Sequence, residues 1–557
     1  DERIVMESIR DPVNLEIMWQ RVISITEECW ITIWRTAFSV AVGEAHDYGC
    51  SLLDPKGLVI AHPMRTMPDF TITLPNCAKA FLQRYPLKTW KRGDIFITND
   101  PWLGAGHLYD IAILTPVFNR EDKMVAIMAS MANVADIGGT RARHTTRELY
   151  DEGLFIPTLK LYNCGRLNEE LVEIIESNVR LSTMVMGDIH AMVSANQMAG
   201  ERIQEFLDEY GLNDLKDLTL ELQNRSEMAM RKAISALPDG EYEAEQWCDG
   251  MGDPFCYRLR VKVKQDNLII EFLDGPHQLP VGGTNVTLSM LLSNAIFMVK
   301  CLLSPEIPGN DGNFRPVSVE APEGSVFNCT RPAAVNNRTR TTWTIPPAIA
   351  QALSSVLPDK VRGHTGYPVA LKTYGYTSTG QAFNDHFFNA GGLGASSQGD
   401  GESTALFPTN AANVSVEMFE MRTGFLVVEK EFIPDSGGPG KFRGALGQRT
   451  VIRRRAGETG GKYTIGGWST GLLSDTPGLF GGETGNRMRF YSTASHDAPI
   501  VDHFKGLFVD LDELTTITVE VSGGSGFGNP KDRSREAIRK DLEEEFVTPE
   551  GAINQYG

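Results

Sequence analysis

The stretch Asp94–Phe118, DIFITNDPWLGAGHLYDIAILTPVF, sets the reading of the fold. Two apolar runs, DIFIT and IAILTPVF, flank a polar segment that contains Pro101, Gly104, Ala105 and Gly106. Short apolar runs bounded by Pro, Gly, Asn and Asp are the pattern of β-strands joined by close turns. The pattern extends outward to SLLD (51–54), LVIA (58–61) and MVAIMASM (124–131), so a sheet is expected from Tyr48 onward. Within the turn, His107 stands three residues before Asp110.

Helical spacing surrounds this region. Leu15–Phe38 places Ile17, Met18, Val22, Ile25, Cys29 and Ile33 at helical intervals. Residues 169–211 are long enough for one long helix or two, and Leu215–Leu237 adds another. Asn168 ahead of Glu169 and Glu170 is an N-cap followed by acidic groups near the helix's positive end. Beyond Asp239, YRLRVKV (257–263) and LIIEFLD (268–274) read as strands, and Ile345–Val356 as a helix. The apolar run Val286–Leu303 is broken by Ser289, Ser293, Asn294 and Lys300, which marks a buried helix and no membrane span.

After Gly363 the chain turns glycine-rich: FFNAGGLGASSQGDGEST (387–404), IPDSGGPGKFRGALGQRT (433–450) and the start of VSGGSGFGNPKDRSREAIRKDLEEEF (521–546). These cannot be ordinary helix or strand interiors; they are linkers or closely packed backbones. Apolar runs between them, such as LVVEKEFI (426–433) and YTIGGW (463–468), favour packing. Ser534–Glu545 is a charged outer helix. Four regions are expected: 1–167, an N-terminal helix and sheet with the His-x-x-Asp turn; 168–238, helical; 239–362, a second α/β region; and 363–557, glycine-rich with a C-terminal helix. The class is α+β.

Composition excludes several functions. With 41% hydrophobic and 22% charged residues the chain is globular, and at 557 residues it exceeds one simple core. A net charge of −18 without a basic stripe argues against nucleic acid. The eight cysteines form no Cys-x-x-Cys and are too sparse for a disulfide scaffold, and residues 1–16 show no secretory signal pattern, so a cytoplasmic protein is expected. There is no Gly-x-x-x-x-Gly-Lys-[Ser/Thr], no Gly-x-Ser-x-Gly and no His-Glu-x-x-His. Gly523–Gly528 precedes Asn-Pro outside any parallel-sheet context, which is weak support for a phosphate cradle, and any ATP is not expected to be bound by this chain alone.

His107 and Asp110 lead into a strand, Asp47 in EAHDYGCSLLD (44–54) begins another, and ANVADIGG (132–139) ends a third. Three strand ends with polar side chains are expected to face one pocket. The His-x-x-Asp spacing suits a divalent metal, or an imidazole acid/base oriented by a carboxylate; the plain alternative is a structural turn. His46 faces away from Asp47 along a strand. Arg141, Arg143 and His144 form a local positive cluster suited to an anion such as phosphate or bicarbonate; alternatively the arginines pair with Asp136, Glu148, Asp151 or Glu152. His364 and His386 are read as structural, and His62, His190, His277, His496 and His503 form no pattern.

DPVNLEIMWQRVISITEE (11–28), DYGCSLLDPKGLVIAH (47–62), GDIFITNDPWLGAGHLYDI (93–111), ADIGG (135–139), DEGLFIPTLKL (151–161), PDSGGPGKFRGALG (434–447) and GGSGFGNPKDRSREAIRKDLEEEFVTPEGA (523–552) together resemble the hydantoinase B / 5-oxoprolinase family, in character closest to the HyuB-like subunit of acetophenone carboxylase. The resemblance implies a barrel-like pair of β-sheets joined to a polyproline-II-like bundle. It implies a HyuA-like partner that binds ATP and magnesium, with small accessory subunits in some complexes. ATP activates an amide or ketone oxygen as a phosphoester, after which water opens a lactam or hydantoin ring, or activated bicarbonate adds to the enol.

Relatives with a metal are implied to use residues matching Asp47, His107 and Asp110, plus a histidine where this chain has Asn133, a weaker ligand. Tyr109 replaces the usual proline. The resemblance leaves metal occupancy open, with His107 as acid/base oriented by Asp110 as the metal-free form. Asp47, His107 and Asp110 are the expected catalytic residues; Asn133, Tyr109, Arg141, Arg143 and His144 are expected to bind substrate or anion, with Tyr109 and Trp102 lining an aryl pocket. The expected function is an ATP-dependent ketone carboxylase subunit. The alternatives are a cyclic-amide hydrolase subunit and a non-catalytic scaffold.

Overall fold

The structure, a computed structural model, describes residues 9, 11–141, 143–455, 457, 461–493, 501–502, 509–512 and 515–557; His496 and His503 lie outside them. Tyr48–Leu53 (β1), Val59–Ala61 (β2), Ile95–Thr98 (β3), Asp110–Phe118 (β4), Met124–Asn133 (β5), Leu159–Asn163 (β6) and Arg166–Leu167 (β7) form one antiparallel sheet in the order β2-β1-β5-β4-β3-β6-β7. The apolar runs of the sequence are its central strands.

That sheet is buried on both faces, which is why its strands read as continuous apolar runs. Side chains alternate by strand geometry: Ile111 and Ile113 enter one core, Ala112 and Leu114 the other. The first core is closed by Pro12–Thr36 (α1) and by a helix later in the chain. Pro68–Arg84 (α2) covers the opposite face. The helical region contains Glu169–Asn178 (α3), Ser182–Tyr210 (α4), which closes the first core with α1, and Lys216–Ser235 (α5). Asn168 caps α3 as expected, its side chain accepting from Leu171 N at 3.1 Å.

Leu288–Leu303 (α6), capped by Thr287, packs against α2, and Ile345–Leu353 (α7) packs on α6. Among the described residues three further sheets follow; the one that matters for the site pairs Val369–Tyr376 with Ala382–Asn389, and it places residues 370 and 372 beside 388 and 386 on one face. No helix among the described residues is long and apolar enough to cross a membrane.

The expected barrel does not form: none of the four sheets closes on itself among the described residues. A barrel buries an inner face against itself, whereas helices cover both faces of the seven-stranded sheet. The glycine-rich segments pack backbone against backbone. Gly524 N donates to Ala445 O (2.9 Å), Ala445 N to Leu393 O (3.0 Å) and Gly438 N to Gly524 O (2.8 Å). A Cβ on Gly444 or Gly394 would collide with the carbonyl oxygen of Gly524 or Gly363.

Candidate active site

The site is assembled by strand register. Asp110, the first residue of β4, pairs with Asn133, the last of β5; Ala132 pairs with Tyr48 of β1. Asn133 N then donates to Asp47 O (3.0 Å), and Val134 N to Tyr109 O (2.9 Å). Asp47, Asp110 and Asn133 therefore lie at the same end of three adjacent strands. Asn99 fixes the intervening loop, donating to Leu108 O and Leu154 O (2.8 and 2.9 Å) and accepting from Ile156 N (2.6 Å).

Asp47, His107 and Asn133 line one cavity of about 60 Å³. The opposite wall carries Ala370 and Lys372 from one strand and His386 and Phe388 from the next. Arg143, Arg338 and Asp69 complete the polar lining. Asp47, His107, Asp110, Asn133, Arg143, Arg338, Lys372 and His386 are all buried.

Contacts within this cluster divide it into fixed and free groups. Arg338 Nη2 donates to Asp110 Oδ2 (3.0 Å), and its Nε donates to Ala105 O. Gly106 makes this possible: it sits at φ +90°, and a Cβ there would lie 2.8 Å from Arg338 Cδ. The glycine of the turn thus clears a path for the arginine. His107 Nδ1 lies 2.8 Å from the same Asp110 oxygen but off the line of a hydrogen bond, so Nδ1 has no hydrogen-bonding partner among the described residues. Lys372 Nζ likewise has none, and the ammonium sits 4.5 Å from the centre of the Tyr109 ring. The Arg143 guanidinium lies 4.1 Å from that ring.

Burial sets the protonation. It raises Asp47 and Asp110 to about 7 each, and repulsion from Asp110 adds to the shift of Asp47. It raises Asp69 to about 6, and lowers His107, His386 and Lys372 well below their ordinary values. For His107 and Lys372 the neighbouring Arg143 works in the same direction. Carboxyl groups that titrate near neutrality beside an imidazole that gives up its proton readily are equipped for proton transfer.

The donor set does not fit a resident divalent metal. Arg338 holds Asp110 Oδ2. Although Asp110 Oδ1, His107 Nδ1 and Asn133 Oδ1 have no hydrogen-bonding partner among the described residues, Arg338, Arg143 and Lys372 bring positive charge into the same space, which disfavours a further dication. Among the described residues no three His, Cys, Asp or Glu side chains are arranged to hold a metal ion.

Other expected residues fall elsewhere. Arg143 reaches the cavity, but Arg141 stacks on Tyr374 (4.6 Å) and neither it nor His144 lines the cavity. Arg143 and His144 are adjacent on the single short turn Arg143–Thr145, so their side chains leave it in different directions. Tyr109 is a platform behind the two cations and does not line the cavity. Trp102 donates from Nε1 to Cys329 O (2.9 Å) beneath Arg331, so it lines no aryl pocket there. Asp136 pairs with Arg180 (2.8 Å). His46 packs against the edges of Trp30 and Trp34, and His364 bonds to Thr365 O (2.8 Å) and the Tyr367 hydroxyl (2.9 Å).

Sequence reasoning missed Lys372, Arg338 and Asp69, and it read His386 as structural. The available signal was a lysine within the apolar alternation VALKTYGY (369–376).

Comparison with known proteins defines the class. The profile of the Hydantoinase B/oxoprolinase family matches residues 11–530, so the chain belongs to that family. It is 26% identical to the B-type component of the putative D-/L-hydantoinase of Pseudomonas sp. (strain NS671), over 98% of this chain and 95% of that one. It is 24% identical to the beta chain of the caprolactamase of Pseudomonas jessenii, over 98% and 96%. Against the 5-oxoprolinase of Dictyostelium discoideum it is 26% identical and spans 40% of that longer protein.

Among solved structures, the ATP-dependent caprolactamase from Pseudomonas jessenii superposes with a TM-score of 0.90 at 23% identity, covering 98% of this chain and 96% of that one. Nucleotide-free acetone carboxylase, an enzyme of ATP-dependent acetone carboxylation, gives 0.86 at 17%, covering 98% and 79%. The three sequence relatives are named for hydantoin, caprolactam and oxoproline, and the caprolactamase and acetone carboxylase structures that share the fold are both described as ATP-dependent. These matches do not single out the carboxylase reaction expected from the sequence.

Proposed function

We propose that this chain carries the carbonyl-reacting site of an ATP-dependent cyclic-amide hydrolase, beside a hydantoinase A-like partner that binds ATP and magnesium. The carrying observation is the buried cluster of His107 and Lys372, both short of hydrogen-bonding partners, against the fixed cations Arg143 and Arg338. ATP on the partner activates the amide oxygen. His107 accepts a proton from the attacking water and returns it to the leaving ring nitrogen. Lys372 and Arg143 hold the negative charge of the phosphoryl group that ATP leaves on the amide oxygen; breaking the C–N bond gives an acyl phosphate, which a second water hydrolyses to the ring-opened carboxylate and phosphate. The cavity has room for a water and a carbonyl oxygen, which suits this division of labour. The two relatives matched along nearly their whole length, named for hydantoin and caprolactam hydrolysis, support the same reaction.

A second reading, ketone carboxylation of the acetophenone type, is favoured by one observation. Asn133 and three cations provide an anion site for bicarbonate-derived carboxyl groups. Incubating the complete complex with ATP, candidate substrates and labelled bicarbonate separates the two. A ring-opened amino acid without label supports hydrolysis. Label in a keto acid supports carboxylation. ATP turnover with neither product from any candidate overturns both and leaves a scaffold role.

A further inference from the structure

At about 60 Å³, the cavity at His107 cannot enclose the body of a ring compound. A cavity of about 600 Å³, within the usual range of small-molecule sites, lies against it. The two share a partition made of two strips of chain. Thr66, Pro68 and Thr71 face the larger cavity, whereas Met67, Asp69 and Phe70 face the smaller. Pro408 and Asn410 likewise face the larger, and Thr409 the smaller. Asn410 Nδ2 donates to Thr66 O (3.0 Å) and ties the strips together.

The larger cavity is apolar along most of its wall, with Ile72, Phe314 and Leu406, and with the Phe297 and Phe407 rings 6.0 Å apart. An ammonium group faces it. Lys300 Nζ donates to Ser304 O (3.2 Å) and Ile307 O (2.7 Å), which leaves its third proton unused. Among the described residues no carboxylate lies within ion-pair distance of it. His62, on the same wall, turns Nδ1 to Pro63 O (2.9 Å) and supplies no charge at neutral pH, because burial lowers it to about 4. A half-buried cation without a counter-ion, set in an apolar wall, selects an anionic group on an apolar body.

We propose that this cavity binds a small molecule with an apolar body and one anionic group held by Lys300.

The test is calorimetric titration of the assembled complex with octanoate, an apolar chain with one carboxylate. One site per chain is expected, weakened about tenfold or more by Lys300→Met and weakened also by Phe297→Trp, which narrows the cavity between residues 297 and 407. 1-Octanol is expected to bind at least about tenfold more weakly than octanoate. Thermal melts of both variants establish that they are folded. His107→Ala is expected to bind octanoate like the parent, so loss of catalysis does not disturb this result. No binding at millimolar octanoate, or equal binding by both variants, overturns the site, and equal affinity for octanol overturns the role of Lys300.

Discussion

Lys372 and His386 stand directly opposite each other on neighbouring antiparallel strands, and both face the cavity lined by Asp47, His107 and Asn133. Two surfaces meet there: the end of a buried seven-stranded sheet, and one face of a separate strand pair.

Among the described residues Lys372 has no ion pair to lose, so its removal should separate activity from stability. Lys372→Met is expected to lower turnover by roughly 100-fold or more, the scale of one lost charge stabiliser. Its melting temperature should stay level or rise, because an unpartnered buried ammonium is removed. Steady-state rates and thermal denaturation check both halves.

His107→Ala should abolish product formation while leaving assembly with the partner intact, as seen by size-exclusion chromatography and product analysis. A variant that keeps full activity would show that the proton passes through another group.

Arg338 neutralises Asp110 in a buried pair. Arg338→Met strands the carboxylate and is expected to cost about 3–5 kcal/mol of stability, the range for breaking such a pair from one side. Adding Asp110→Asn should recover most of that loss. Urea unfolding of the two single variants and the double variant measures the coupling.

Gly106→Ala places a Cβ against Arg338 at a positive φ. The expected outcome is a loss of more than about 1 kcal/mol, since an alanine at φ > 0 is strained even without the clash. Activity should fall with it, because the displaced arginine releases Asp110.

Glu152 gives the pH dependence. Burial raises its carboxyl from 4.5 to about 8, against two backbone N–H bonds from Val335 and Asn336 (both 2.8 Å) that favour ionisation. The folded chain therefore binds more protons than the unfolded chain between those values. Its contribution to stability is present in full below about pH 4.5 and is lost as pH rises toward about 8. Glu152→Gln should flatten that slope in denaturation series run at several pH values.

Much of the sheet was legible because its strands are buried on both faces and so spell long apolar runs, as β4 does in IAILTPVF. The meeting of Asp47, His107, Asp110 and Asn133 followed from recognising strand ends, since each lies at or beside a turn signal. Lys372, His386 and Arg338 were not legible: they arrive from more than 200 residues away through packing that no local pattern encodes. His386 shows the difficulty best, since whether it faces core or cavity depends on how its strand pair sits against the first sheet. The barrel failed for a related reason, because helices recruited from distant sequence covered the faces that closure would have buried.

The glycine contacts of the C-terminal third carry a consequence for how this chain can vary. Where Gly394, Gly444 and Gly524 meet neighbouring carbonyl oxygens, even a methyl group has nowhere to go. A saturation mutagenesis scan should show these positions as isolated columns of intolerance between permissive neighbours. Backbones laid this close gain thickness without side chains, and they forfeit the slack by which an ordinary core absorbs change.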